Sequence, residues 1–262
     1  GSPDRIRFFN FSAGGGDPRN LFFNSLSLCF PPALVINEVD YDQPGSADAL
    51  EFVELKNVDN TSVDLSTYKL ELLNSSGSVY QTVNLSGTLA AGAYHVVCGV
   101  GSTVSNCNQA FSGSTDQLED GIAAVRLVFQ NIFTADAVAW ESVVPGGTEG
   151  LAVATGDNAT TAGVGLSRNP DGNDSNNNNA DFILACATPG GANTTDLTDT
   201  DSDGAPDACD PCPLADENNV PGFDAPNCAC LPGKYAVYTG NVITGCTDCP
   251  PGKFCPDGLN AY

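Results

Sequence analysis

Tyr68-Lys69-Leu70-Glu71-Leu72 alternates an aromatic and two leucines with two charged residues, the period of a strand with one buried and one wetted face. The phase puts Tyr68, Leu70 and Leu72 inward and Lys69 and Glu71 in water. Asn74-Ser75-Ser76-Gly77-Ser78 then supplies turn formers, and Val79, Val83 and Leu85 resume the alternation, so the two runs predict a hairpin. Working outward, residues 35–39, 50–55, 94–98, 123–129, 135–140 and 181–184 read as further short strands set apart by Gly, Asn, Asp and Pro. Glu51-Phe52-Val53-Glu54-Leu55 has apolar residues on both faces, which marks a central strand. Seven or more such strands with no competing helix predict a mainly β chain built on a sandwich over residues 34–195, with Trp140 in its core.

Composition narrows the class. The 262 residues carry 32 acidic against 9 basic side chains, a formal net charge of -23. Such a field repels phosphate backbones and anionic lipid, so nucleic acid is excluded as a natural partner and cations are favoured. A hydrophobic content of 41% is too high for a disordered polymer, and no apolar run reaches the roughly 20 residues that span a bilayer. The absence of methionine fits removal of a leader or a fragment of a longer product, and Gly1-Ser2 fits a tag scar. Of 11 cysteines, four (Cys29, Cys98, Cys107, Cys186) are spread through the first 190 residues and seven crowd into the last 55. The tail is poor in large apolar residues and needs covalent or metal staples, which points to an oxidising, extracellular setting. Asn-X-Ser/Thr acceptors at Asn10, Asn60, Asn74, Asn84, Asn158, Asn173 and Asn193 point the same way and predict N-linked glycans.

The runs VINEVDYDQPGSADALEFVELKN, VDLSTYKLELLNSSGSVY, TLAAGAYHVVC and NPDGNDSNNNNADFILACATPGGAN, in that order across residues 34–194, resemble the bacterial form of the lamin tail domain. The resemblance implies an immunoglobulin-like β-sandwich of the kind found as an accessory module on secreted or surface-attached proteins, where it scaffolds, docks or anchors. The cysteines fit that sandwich. Cys98 and Cys107 bracket a short loop that permits a local bridge, which leaves Cys29 to pair with Cys186, although spacing alone leaves the connectivity open. In the NPDGNDSNNNN loop, Asp171, Asn173, Asp174 and residues 176–179 suit Asx turns better than a cation site.

Beyond the sandwich, residues 196–228 hold the strongest chemical signal. Asp199, Asp201, Asp203, Asp207 and Asp210 fall at relative positions 1, 3, 5, 9 and 12, with glycine at position 6 and the Ala205 carbonyl at position 7, the spacing of a Ca2+ loop. Hard carboxylates at flexible spacing favour calcium over magnesium, which demands a tighter octahedron. The stretch resembles a thrombospondin type 3 repeat. Residues 229–262, within CACLPGKYAVYTGNVITGCTDCPPGKFCPDG, resemble the small cysteine-rich repeats of ephrin and tumour-necrosis-factor receptors, which implies bridges Cys230–Cys246 and Cys249–Cys255. Zinc held by the C-x-x-C pairs is the rival, and the regular paired spacing of a zinc ribbon is missing. Seven tail cysteines cannot all pair with one another, so one is free or finds its partner elsewhere.

Residues 1–33 form an extended arm outside the family resemblance. Ile6-Arg7-Phe8-Phe9-Asn10-Phe11 and residues 21–28 are strand-like and rich in phenylalanine, with a Gly14-Gly15-Gly16-Asp17-Pro18 break between them. Such an arm either adds strands to its own sandwich or joins the sheet edge or groove of a neighbouring copy, and the second arrangement repeated head to tail builds a fibre. Enzymatic signals are poor: His95 lies in a strand, no G-x-S-x-G elbow occurs, Gly163-Val164-Gly165 lacks the rest of a dinucleotide fingerprint, and Glu51 and Glu54 fall on opposite faces of one strand. The expectation is a non-enzymatic, glycosylated, calcium-stabilised structural or adhesive protein of a cell surface or filament, with copies of itself or other surface proteins as partners. The alternative is an accessory region of a larger secreted hydrolase.

Overall fold

The computed structural model describes residues 33–43, 50–111, 117–157, 163–216, 220–224, 227–253, 255 and 258–260. The chain divides into Gly1–Phe30 and Pro31–Tyr262, and all described residues belong to the second unit. The expectations for the arm, for Asn10 and for Asn158 therefore lie outside the described residues.

In chain order the strands are β1 (Leu34–Asp40), β2 (Phe52–Asn57), β3 (Val63–Asp64), β4 (Tyr68–Asn74), β5 (Val79–Asn84), β6 (Thr88–Leu89), β7 (Tyr94–Cys98), β8 (Cys107–Ala110), β9 (Ala123–Phe129), β10 (Phe133–Trp140), β11 (Val164–Arg168) and β12 (Phe182–Cys186). One turn of helix, α1 (Asn178–Asp181), precedes β12. A six-stranded sheet runs β12-β11-β1-β2-β7-β8 and a four-stranded sheet runs β10-β9-β4-β5, while β3 and β6 form a small ribbon. These two sheets share one core, to which Ile36, Leu55, Val97 and Leu166 contribute from the first and Leu70, Leu72, Val125, Leu127, Val138 and Trp140 from the second. The arrangement is an immunoglobulin-like sandwich, in which period-two strands bury one face against the opposing sheet.

β2 is central, as its two-sided apolar pattern predicts, and β4 and β5 form the expected hairpin. Tyr68, Leu70 and Leu72 are buried as their phase requires. Glu71 corrects the simple alternation: it is only 7% exposed rather than in water, because Lys69 and Arg126 both pair with its carboxylate. The ladders are antiparallel except that β8 runs parallel to β7, an edge position held by the expected Cys98–Cys107 bridge.

The tail is stapled more than it is packed. β13 (Phe223–Asp224) pairs with β14 (Ala229–Cys230), and β15 (Lys234–Thr239) with β16 (Val242–Asp248). A small cluster of Ala215, Val220, Ala236 and Ile243 lies beside bridges Cys212–Cys228 and Cys230–Cys246, and Cys249–Cys255 closes the far end.

Candidate metal centre and its attachment to the sandwich

The acidic loop is built by its own aspartates. Asp199 accepts from the Ser202 and Gly204 N–H groups at 2.7 and 3.1 Å, Asp201 accepts from the Asp203 N–H at 3.3 Å, and Asp203 accepts from the Ala205 N–H at 2.8 Å. These bonds curl the backbone so tightly that Gly204 sits at φ +102, a conformation that side chains rarely permit. The Asp207 N–H donates to the Thr198 carbonyl at 2.7 Å and closes the loop.

The curl brings carboxylate oxygens of Asp199, Asp201 and Asp203 within 4.8 Å of one another. One oxygen of Asp201, Oδ2, is buried and accepts no hydrogen bond. Burial pushes the Asp201 carboxyl up to about 6, and the nearby charges of Asp203, Asp210 and Asp199 add to the rise. Hard oxygen donors, an unsatisfied buried carboxylate oxygen and mutual repulsion fit a divalent cation of the calcium type. Asp210 is 8% exposed and its charge acts on Asp201, but its oxygens are not among those that converge with Asp199, Asp201 and Asp203. Asp207 does not converge on it: Oδ1 accepts from the Thr200 N–H at 2.8 Å and Oδ2 from the Thr200 hydroxyl at 2.6 Å. Ala205 is buried, and its N–H donates to Asp203.

The loop is fastened to the sandwich by a disulfide between Cys186, the last residue of β12, and Cys209, with Cα atoms 5.5 Å apart. This corrects the expected Cys29–Cys186 pair. The seventh tail cysteine finds its partner in the sandwich because the closed acidic loop returns Cys209 to the end of β12. Ten of the 11 cysteines lie in the five bridges, and Cys29 lies outside the described residues.

A second acidic group, Asp136, Glu149 and Asp174, surrounds a cation that the chain supplies itself. Arg168 of β11 is fully buried and donates to both oxygens of Asp136 of β10 at 2.9 and 2.8 Å, crossing from one sheet to the other. Its Nε donates to the Ile36 carbonyl at 2.6 Å while Asp136 accepts the Ile36 N–H at 2.6 Å, next to the register slip between β1 and β2. Asp181 and Asp174 lie 3.3 and 3.4 Å from its other nitrogen, and the Phe182 ring stacks 4.6 Å from the guanidinium carbon. Burial raises Glu149 to about 8, with Asp136 and Asp174 adding to the rise. In the asparagine-rich loop Asp174 makes an Asx turn by accepting from the Asn176 N–H, whereas Asn177, Asn178 and Asn179 reach out of the loop to satisfy backbone groups of residues 137–154. Asp171 engages Lys56, Tyr94 and Asn37.

A third polar cluster fixes the exit from β12. Glu38 accepts the Thr188 N–H at 2.9 Å and Glu54 accepts the Gly190 N–H at 2.6 Å. Desolvation by burial raises Glu38 to about 7 and Glu54 to about 8, even though these hydrogen bonds favour the ionised forms. Asn193 belongs here too. It is 8% exposed, and its amide nitrogen donates to the Asn37 and Arg168 carbonyls at 3.1 and 2.9 Å. This removes Asn193 as a glycan acceptor in the folded chain, since the nitrogen that would carry the sugar is buried and bonded. Asn60, Asn84 and Asn173 are exposed, and Asn74 is half-buried with its carbonyl oxygen capping the β4–β5 turn.

With two sheets, their shared core and the inter-sheet ion group in place, the chain can be set beside known families. Residues 31–142 match the Lamin Tail Domain family. The lamin tail domain is a non-catalytic, immunoglobulin-like fold. Its match ends after β10, yet the sandwich continues, because β11 pairs with β1 and β12 with β11 to finish the six-stranded sheet. No curated protein matches the chain. Among the described residues no helix is long and apolar enough to cross a membrane, and five disulfides are consistent with an extracellular protein.

Proposed function

We propose that this chain is a non-enzymatic extracellular structural protein, a glycosylated and calcium-stabilised subunit of a surface layer or fibre whose N-terminal arm joins a neighbouring copy. The convergence of Asp199, Asp201 and Asp203 beside the bridge that fastens their loop to β12 is the observation that carries this reading. A rigid sandwich followed by a cross-linked acidic connector and a stapled tail is suited to transmitting position rather than turning over a substrate. The resemblance of residues 196–228 to a thrombospondin type 3 repeat supports calcium, with Asp199, Asp201, Asp203 and Asp210 as side-chain ligands. Bound calcium neutralises their repulsion and fixes the connector. Exposed Asn60, Asn84 and Asn173 leave room for glycans.

Limited proteolysis with calcium and with chelator tests the reading. Chelation is expected to speed cleavage within residues 196–228 at least tenfold and to leave the sandwich intact. Equal cleavage in both conditions would remove calcium from the proposal.

A further inference from the structure

An apolar groove of about 280 Å3 opens in the tail between the segment Pro211–Ala215 and the β15–β16 hairpin. Pro211, Pro213, Leu214, Tyr238, Ile243 and Leu259 line it. Its walls are held in place: the Ile243 N–H donates to the Leu214 carbonyl at 2.6 Å, and the Cys212–Cys228 bridge pins the other end of the first wall. Leu214 is 45% and Tyr238 46% exposed, so the groove presents apolar surface that the described chain leaves open to solvent. A cavity of roughly 150 Å3 accepts a benzene ring, so this one has room for a phenyl side chain with space beside it.

The sequence holds a segment whose chemistry matches. Residues 1–30 contain six of the 13 phenylalanines (Phe8, Phe9, Phe11, Phe22, Phe23 and Phe30) and three of the nine basic residues (Arg5, Arg7 and Arg19), against Asp4 and Asp17. They are the positive end of the molecule, with a net charge of +1 in a chain of -23. No Lys or Arg occurs from residue 169 to residue 233, and Asp210, Asp216 and Glu217 flank the first wall in sequence. Two copies of so acidic a body repel each other, and association needs a connector that is both apolar and basic.

We infer that this groove receives the phenylalanine-rich segment at residues 6–11 of a second copy, a phenyl ring entering between Leu214 and Tyr238 and the nearby arginines carrying positive charge to an acidic stretch of chain that has none. The inference rests on the arm-exchange reading above and names its receptor. Because donor segment and receptor groove lie at opposite ends of one chain, the contact is heterologous and propagates.

Complementation between full-length variants tests it. One variant, Phe8→Ser/Phe9→Ser/Phe11→Ser, has no donor and an intact groove; the other, Leu214→Glu, has a donor and a blocked groove. Molar mass by light scattering should show assembly for the parent chain, a loss of association of at least tenfold for each variant, and 1:1 dimers that grow no further when the two are mixed. Assembly of Leu214→Glu like the parent, with the arm variant monomeric, would overturn the groove while sparing the arm. Assembly of both variants, or a monomeric parent, would overturn the arm-exchange reading as well, and a mixture that stays monomeric would overturn the groove. Tyr238→Ser guards against misfolding of the first groove variant, and parent-like assembly of Tyr238→Ser also counts against the groove.

Discussion

Arg168 shows how much one residue can organise. Its charge is fully desolvated yet bonded to Asp136 at both oxygens and close to Asp181 and Asp174, so removing it strands carboxylates in the interior. Arg168→Leu is expected to cost about 3–5 kcal/mol, read as a lower midpoint in urea unfolding. A change within 1 kcal/mol would show that the acidic group tolerates its own charge. Glu54 tests burial in the opposite sense. Its folded pKa, about 8, lies above the usual value, so the folded state holds a proton that the unfolded state has released. Stability therefore falls as pH rises from about 5 towards 8, by up to about 1.4 kcal/mol per pH unit while one such proton is held. Glu38 adds to the slope up to about 7. Melting temperature against pH should decline across this range for the parent and more gently for Glu54→Gln; parallel curves would assign the decline to overall charge. Neither role is legible in the sequence. Arg168 follows Val164-Gly165-Leu166-Ser167, whose alternation sets it in phase with the apolar Val164 and Leu166, but what permits a charge there is Asp136, 32 residues earlier.

At the scale of elements, legibility tracks how much of a strand's environment is local. The β4–β5 hairpin is written in its own alternation and turn, whereas β11 and β8 exist because other strands offer them an edge. β8 has mostly exposed residues and pairs with β7 in parallel, the connection that a tight turn cannot make. The Cys98–Cys107 bridge compensates for that poor burial. Cys98→Ala/Cys107→Ser should release β8 alone: amide exchange of residues 107–110 rises to unprotected rates while β2 and β7 keep their protection. In the chain-entropy view this bridge contributes roughly 2–3 kcal/mol. Retained protection of β8 would mean that its ladder suffices. The acidic loop was legible for a related reason, since Asp199, Asp201 and Asp203 act within six residues. Asp207 departs because Thr200, a residue the spacing rule ignores, offers it two donors.

For the whole molecule, the distribution of means of stabilisation follows composition. The sandwich relies on apolar burial and buried polar ties, and the tail on four cysteine pairs, the first of which reaches back to residue 186. The pairing of Cys186 with Cys209 could not be read from spacing, because it depends on a chain reversal that the loop creates. That bridge also sets how the molecule answers tension. A pull on the C-terminus enters the sandwich at the end of β12, and the 23-residue path between the two cysteines carries no load. Those residues are a reserve of length, roughly 70 Å if drawn straight. In single-molecule stretching, Cys186→Ala/Cys209→Ala should pay out that extra contour before the sheets give way, and identical traces for parent and variant would show that the bypass does not exist. A filament of such subunits would be stiff while that one bridge is intact, and would lengthen on its loss with both sheets of each sandwich still folded.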